Sequence, residues 1–192
     1  KSIDRVKSLG IFKKVDSKIY AGSNENLKIV DIIVEEQPTG EISLAAGVGS
    51  SGSTIGGGIT EKNFLGKGVN LKANLEISEE KVKGQFIYSK PNFNYTENTL
   101  FTSVRSTSTD RKKDFGYETT DFGFGVGTKF EQYENLFFSP EIDLSIEELK
   151  TDSTASANLK KQAGNYEDFY FNYGLDYDLR NSLYKPSSGS KT

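Results

Sequence analysis

Three glycines, Gly47, Gly49 and Gly52, spell G-x-G-x-x-G directly after a strand-like run, within the stretch QPTGEISLAAGVGSSGSTIGGG of residues 37–58. That spacing matches dinucleotide sites, where backbone N–H groups and a helix N-terminus face a pyrophosphate. The helix is what this sequence withholds. Ser-Thr-Ile-Gly-Gly-Gly follows Gly52, and glycines beside β-branched residues make a poor first helical turn. No βαβ pattern surrounds the motif either, so the glycines are assigned to strands and a hairpin turn, and no cofactor is expected.

Other chemistry is constrained by what the chain lacks. It has no histidine, cysteine, methionine or tryptophan, which removes Ser-His and thiol nucleophiles, disulfides and the usual zinc ligands. Its 27 Asp and Glu residues are scattered, and they read as a solvated surface rather than an acid–base pair. No catalytic, cofactor-binding or metal-binding residue is assigned, and the protein is not expected to be an enzyme. A net charge of −3 lacks the basic footprint of a nucleic-acid binder.

The elements must therefore explain the function. The length of 192 residues suits one domain, or a small domain joined to part of another. No leader pattern opens the chain at Lys1, and it reads as a piece of a longer precursor. No apolar run is long enough for a transmembrane helix, and the mean hydropathy is −0.55. A membrane β-barrel stays open, because its strands alternate apolar with polar residues and average out as hydrophilic.

Residues 1–38 read as a helix with Ile3, Val6 and Leu9 on one face and Gly10 as its cap, followed by two strands around GSNEN. Pro38-Thr39-Gly40 punctuates the boundary. From Glu41 onward the helical period gives way to alternation. Val69, Leu71, Ala73, Leu75 and Ile77 oppose Asn70, Lys72, Asn74 and Glu76. Phe122, Phe124, Val126 and Phe130 oppose Gly123, Gly125, Gly127 and Lys129. EIDLSIE and DFYFNYGLDYDLR repeat the rule, the latter with Phe169, Phe171, Tyr173, Leu175 and Tyr177. About eight such segments are counted, many near the ten residues a membrane strand requires.

The connections differ by turn. The odd ones (SSGST, SEEKVKG, STDRKKDFG and KTDSTASANLKKQAGN) are polar and lengthen along the chain, and KTDSTASANLKK is expected to be mobile. The even ones are short and carry aromatics: Phe64, then Phe93 and Tyr95, then Tyr133 and Phe137, then Tyr184. In an up-and-down sheet the odd and even connections lie on opposite rims. A soluble barrel or sandwich also alternates, but nothing in it demands aromatics at every second turn, so the pattern favours a membrane barrel with an aromatic girdle. The basic Asp110–Lys113 segment DRKK would fall on the outer rim, where lipopolysaccharide phosphates or plain solvent could meet it.

At the level of residues, the chain resembles a known family. SLGIFKKV is similar to the helix-to-strand step of a POTRA domain, and VEEQPTGEISLAAGVGSSG to the junction where the last POTRA repeat enters the barrel of BamA-type outer-membrane assembly proteins. EKNFLGKGVNLKANL resembles the second and third barrel strands, and FNYGLDYDLRNSLYKPSSGSKT the eighth strand and its following turn. The resemblance runs in order across the whole chain. It implies a mostly β fold in two parts: residues 1–38 as the C-terminal part of an α+β POTRA domain, and residues 39–192 as the first half, about eight strands, of an antiparallel transmembrane β-barrel.

The family resemblance further implies an energy-independent insertase for β-barrel proteins of the bacterial outer membrane, with its N-terminal part in the periplasm. Its partners would be unfolded outer-membrane β-barrel proteins, outer-membrane lipids and, through POTRA domains, accessory periplasmic lipoproteins. Clients would enter at a seam formed by the first barrel strand, Glu41 to Ser50. There Ile42, Leu44, Ala46 and Val48 would point outward, and Ser43, Ala45, Gly47 and Gly49 inward, together forming the client-pairing edge. Small inward residues pin register weakly and leave backbone groups for β-augmentation. The glycines also fit a plain barrel that needs bending. The superfamily's arginine-bearing lumenal loop motif is not among these residues, which keeps a TamA-like translocation factor or a two-partner secretion transporter in view, with a passive porin-like barrel behind them.

Overall fold

The computed structural model describes residues 3, 6–7, 9–24, 26–49, 52–181 and 186–192. Ile3, Val6 and Lys7 are helical, and the turn closes through Gly10, whose N–H donates to the Lys7 carbonyl at 3.2 Å and whose φ of 68° suits a glycine cap. Two strands follow, β1 (Phe12–Ala21) and β2 (Lys28–Glu36), which pair antiparallel as a separate two-stranded sheet. Gln37 holds this small unit to the preceding turn, donating from its backbone to Ile11 and from its side-chain amide to the Gly10 carbonyl.

The remaining strands are β3 (Gly40–Gly49), β4 (Gly52–Phe64), β5 (Val69–Ser78), β6 (Lys81–Lys90), β7 (Thr99–Arg111), β8 (Tyr117–Tyr133), β9 (Leu136–Thr151) and β10 (Gly164–Tyr177). They form one eight-stranded antiparallel meander in which every strand pairs with its sequence neighbours. Gly47 and Gly49 lie in β3, and Gly52, with φ of 88°, opens β4 in the hairpin, so the glycine motif ends in a strand and no helix follows it. β3 begins one residue before the expected Glu41 and runs to Gly49; Ser50 lies outside the described residues.

The register carries each apolar row straight across the sheet. Ile59 faces Ala73, Ala73 faces Phe86, Phe86 faces Val104, Val104 faces Phe124, and Phe124 faces Leu144, which meets Phe169. The polar row one residue over runs through Asn74, Gln85, Arg105, Gly123 and Ser145. Burial is inverted relative to a soluble protein. On β9, Ile142 and Leu144 are 48% and 51% exposed, whereas Asp143 and Ser145 between and beside them are 3% and 5% exposed. No side chain of the described residues is fully buried. A sheet whose concave face shelters carboxylates and whose convex face presents phenylalanine and leucine to its surroundings is the half-wall of a transmembrane barrel.

The loops depart from the expected pattern in two respects. The charged odd connections are shorter than their composition suggests, because strand pairing continues through them: β6 starts at Lys81 and β7 runs to Arg111. Antiparallel ladders satisfy the backbone whatever the side chains are, so polarity does not end a strand. The turn after β5 is residues 79–80 alone, and the length difference between rims appears only at residues 112–116 and 152–163; the even connection 91–98 is itself long. Nor is the KTDSTASANLKK stretch featureless. Asp152 accepts from Thr154, and Ser156 caps a helix over Ala157–Gln162 by accepting from the Leu159 N–H at 3.3 Å. Ala155 is buried against Gly116 of the neighbouring loop, where Asp152 N–H donates to the Gly116 carbonyl at 2.8 Å. Composition alone missed the Ser156 cap, which sits just ahead of a run of helix formers.

Candidate functional site

β3 is the free edge of the eight-stranded sheet: it pairs with β4 and, among the described residues, with nothing else. All ten of its residues are exposed. Its other edge therefore presents a row of unpaired N–H and C=O groups, the arrangement that accepts another strand.

The contact between β3 and β4 is thin. Ile42 faces Ile59 and Ala46 faces Ile55, but Leu44 faces Gly57, Ser43 faces Gly58 and Ala45 faces Gly56. A Cβ placed on Gly47 or Gly49 would meet nothing within 4 Å, so at its far end the concave side of the strand leans on no neighbour, while nearer its start the Ser43 hydroxyl lies over Gly58. Hollows flank this bare backbone on both faces. One of about 430 Å³ lies among Ile42, Leu44, Ile59 and Leu75, and one of about 330 Å³ among Ser43, Ala45, Asn74 and Gln85. With so few side chains interlocked, little penalises a shift of register.

The far side of the sheet is built in the opposite way. Gly123, Gly125 and Gly127 form a side-chain-free strip along the concave face of β8. Side chains from both neighbours lie on it. Arg105 of β7 covers Gly123, Ser103 of β7 and Glu141 of β9 meet over Gly125, and Phe101 covers Gly127. Arg105 crosses the strip to bind Asp143 of β9 through two nitrogens, Nη2 to Oδ1 at 2.7 Å, while its Nε lies 3.4 Å from Asp121. A second pair skips a strand near the turn between β8 and β9: Lys129 of β8 reaches over the Phe137 ring, 5.6 Å from its centroid, to Asp176 of β10. These charges are paired to each other and staple β7 through β10 in register. Sequence reasoning missed both staples, although the G-x-G-x-G strip of β8 was a signal for the first.

The expected aromatic residues gather at one end of the sheet, the end where β2 hands over to β3. Phe64 closes β4, Phe93 and Tyr95 lie in a 3-10 turn, and Tyr133 closes β8. Tyr184 lies outside the described residues. Phe137 points to the concave face beneath Lys129, and the outward position next to it is held by Phe138, whose ring meets Phe130 edge-on at 5.8 Å. On the opposite rim, the basic segment is largely neutralised: Arg111 pairs with Glu80 at 3.1 Å and Lys112 with Glu118 at 2.6 Å. Lys112 titrates above its ordinary range because it donates to Glu118. Among the described residues no group of three or more acidic, histidine or cysteine side chains is placed to hold a metal ion.

Comparison with known proteins matches this geometry. The sequence model of the Omp85 superfamily domain matches residues 63–192. The outer membrane protein assembly factor BamA of Neisseria meningitidis serogroup B is 26% identical over 205 residues; the match covers 98% of this chain and 24% of that protein. The crystal structure of BamA from Haemophilus ducreyi lacking POTRA domains 1–3 superposes with a TM-score of 0.72 at 23% identity, over 99% of this chain and 40% of that one. The chain thus spans about a quarter of the length of the curated relative it matches.

Proposed function

Because the chain belongs to the Omp85 superfamily, a relationship that puts its barrel in the bacterial outer membrane, we propose that it forms the gating half of an insertase for outer-membrane β-proteins. β3 is the seam at which a client strand pairs, and residues 1–38 are the end of a POTRA domain on the periplasmic side. One observation carries the reading: an exposed ten-residue edge strand with small residues on its concave side that pairs, among the described residues, with one strand alone and faces Gly56, Gly57 and Gly58 across that pairing. Pairing through backbone groups recognises no particular side chain, which lets one seam serve many unfolded barrel clients. The work is strand exchange and needs no bond chemistry. POTRA domains would meet the accessory lipoproteins, and the end of the sheet carrying Phe64, Phe93, Tyr95 and Tyr133 would lie at the periplasmic interface, where aromatic rings are favoured.

The chain contains no cysteine, so single cysteines at Ser43, Ala45 and Gly47 report without background. Each should cross-link to the C-terminal strand of a stalled client, while cysteines on the interior strand β8 between Phe122 and Phe130 should not. Equal yields at both strands, or none at β3, would reject the seam and favour a related translocation or secretion transporter.

A further inference from the structure

The two ends of β3 are held very differently. At its root, the Thr39 hydroxyl donates to Glu61 Oε1, and the Asn63 N–H donates to the same oxygen at 2.7 Å. The Lys62 N–H donates to the Thr39 carbonyl at 3.3 Å, so both the backbone and the side chain of Thr39 are bound to the end of β4. Asn63 is fixed in turn, its Oδ1 accepting from the Gly68 N–H at 2.8 Å, which ties the clasp to the turn 65–68. Thr39 and Glu61 are both half-buried. At the other end a Cβ on Gly47 or Gly49 would meet nothing within 4 Å, and Gly49 faces only Gly52 across the hairpin.

The place of Glu61 in the sheet is what makes the clasp possible. Gly40 and Glu61 are register partners, so their side positions share a face, and Glu61 folds back over Gly40 toward Thr39. A Cβ on Gly40 would come within 3.3 Å of Glu61 Oε2. The ladder from β4 to β5 shifts register just after Glu61. Such an irregularity leaves residues outside the ladder, and here the Asn63 N–H goes to the carboxylate. An ionised acceptor makes the Thr39 bond a strong one.

We propose that Thr39 and Glu61 are positioning residues for client pairing: they hold the root of β3, residues 40–44, as the part of the edge where an incoming strand begins to pair. The inference rests on the seam proposed above and adds a direction to it. A backbone already fixed loses less conformational entropy on gaining a partner, so pairing starts most easily where the edge is held. Ile42 against Ile59, and the Ser43 hydroxyl 3.4 Å from the Gly58 carbonyl, carry the held part beyond the clasp itself. The glycine end then follows. On the proposed topology the root is also the periplasmic end of β3, so an arriving client meets it first.

The test uses the full-length protein. Hydrogen–deuterium exchange without client reads the clasp, and cysteines at Ser43 and Gly47, cross-linked to a stalled client over time, read its use. In the parent, residues 40–44 should exchange about tenfold more slowly than residues 45–49, and Ser43 should cross-link before Gly47. Thr39→Val keeps the shape and removes the hydroxyl. It should speed exchange of residues 40–44 about tenfold, as for the loss of one hydrogen bond to a charged acceptor, and slow Ser43 to the pace of Gly47. Thr39→Ser should retain both properties. Glu61→Gln keeps an acceptor without its charge and should fall between them, which leaves a result if Thr39→Val does not fold. Equal exchange along β3 in the parent, or exchange unchanged by Thr39→Val, overturns the clasp. Faster exchange with the cross-linking order unchanged makes the clasp structural only and overturns the positioning role. Simultaneous cross-linking at Ser43 and Gly47 in the parent overturns it as well. Failure of the seam itself is read separately, as the absence of any β3 cross-link in a parent that keeps its exchange gradient, and it ends this proposal too.

Discussion

Arg105 and Asp143 bind each other across a strand that places no side chain between them. Two strands apart in the sheet, they meet because β8 passes beneath the guanidinium as Gly123. The Asp143 side chain is 5% exposed, so removing its partner would leave a sheltered charge unpaired. Arg105→Ala should therefore cost roughly 1–3 kcal/mol. A lower temperature for the heat-induced mobility shift of the folded barrel on gels would report it. A Cβ at Gly123 would collide with the same guanidinium. Gly123→Ala should thus be damaging in the parent and mild in the Arg105→Ala background, a coupling of about 0.5–3 kcal/mol. Additive losses would mean that the glycine serves only backbone geometry.

The two faces of β5 should respond differently to charge. Leu75 is half exposed on the convex face, and Asn74 points to the concave one beside Gly58. Leu75→Arg should destabilise the barrel in lipid by about 2–4 kcal/mol, with Asn74→Arg much milder. Urea titrations of protein folded into vesicles give both values. Equal penalties would contradict a lipid-facing convex side.

Orientation is open to direct labelling. A cysteine at Asn158, exposed in the helix-bearing loop, should react with a membrane-impermeant maleimide on intact cells, whereas one at Lys67 should react only after the outer membrane is opened. The reverse order would invert the proposed topology.

Beyond β10, Asp178 takes two hydrogen bonds from the Arg180 guanidinium, at 2.8 and 2.6 Å, and a third from its backbone N–H. The Arg180 side chain is the main reason its carboxyl is lowered to about 2. A carboxyl lowered on folding stabilises the fold above its unfolded value of 3.8 and loses that contribution as pH falls through about 2. Pepsin should therefore spare residues 178–192 at pH 4 and cut them increasingly toward pH 2, while Asp178→Asn should be cut with little dependence on pH. Identical profiles would remove the pair from the turn's stability.

The strands were legible because alternation is imposed by the pleat itself: Leu71, Leu75 and Ile77 had to share a face once β5 was a strand. The start of β3 was legible to within one residue for the same reason, with Pro38 and Gly40 marking it. Loop ends were not, since the ladder through Lys81 and Arg111 depends on the neighbour's length rather than on local composition. The Arg105–Asp143 staple was hidden because its ends are 38 residues apart and adjacent only once the registers of β7, β8 and β9 are fixed. Phe137 takes the concave side of β9 beneath Lys129, a choice that its place in the turn could not reveal.

The two outer strands of the sheet have unequal futures. At β10, Tyr177 already exchanges both backbone hydrogen bonds with Thr192, and Leu179 N–H donates to Ser190, so the chain returns along that edge within a short hairpin. Loop closure there is nearly free, since little chain entropy is lost over so few residues. At β3 no nearby segment among the described residues does the same, because the preceding strand, β2, pairs in a different sheet. A strand added at that edge is therefore either distant in sequence or part of another chain, and in the first case its pairing has a high contact order. On the reading proposed above, the edge that no local segment closes is the one left for a client strand.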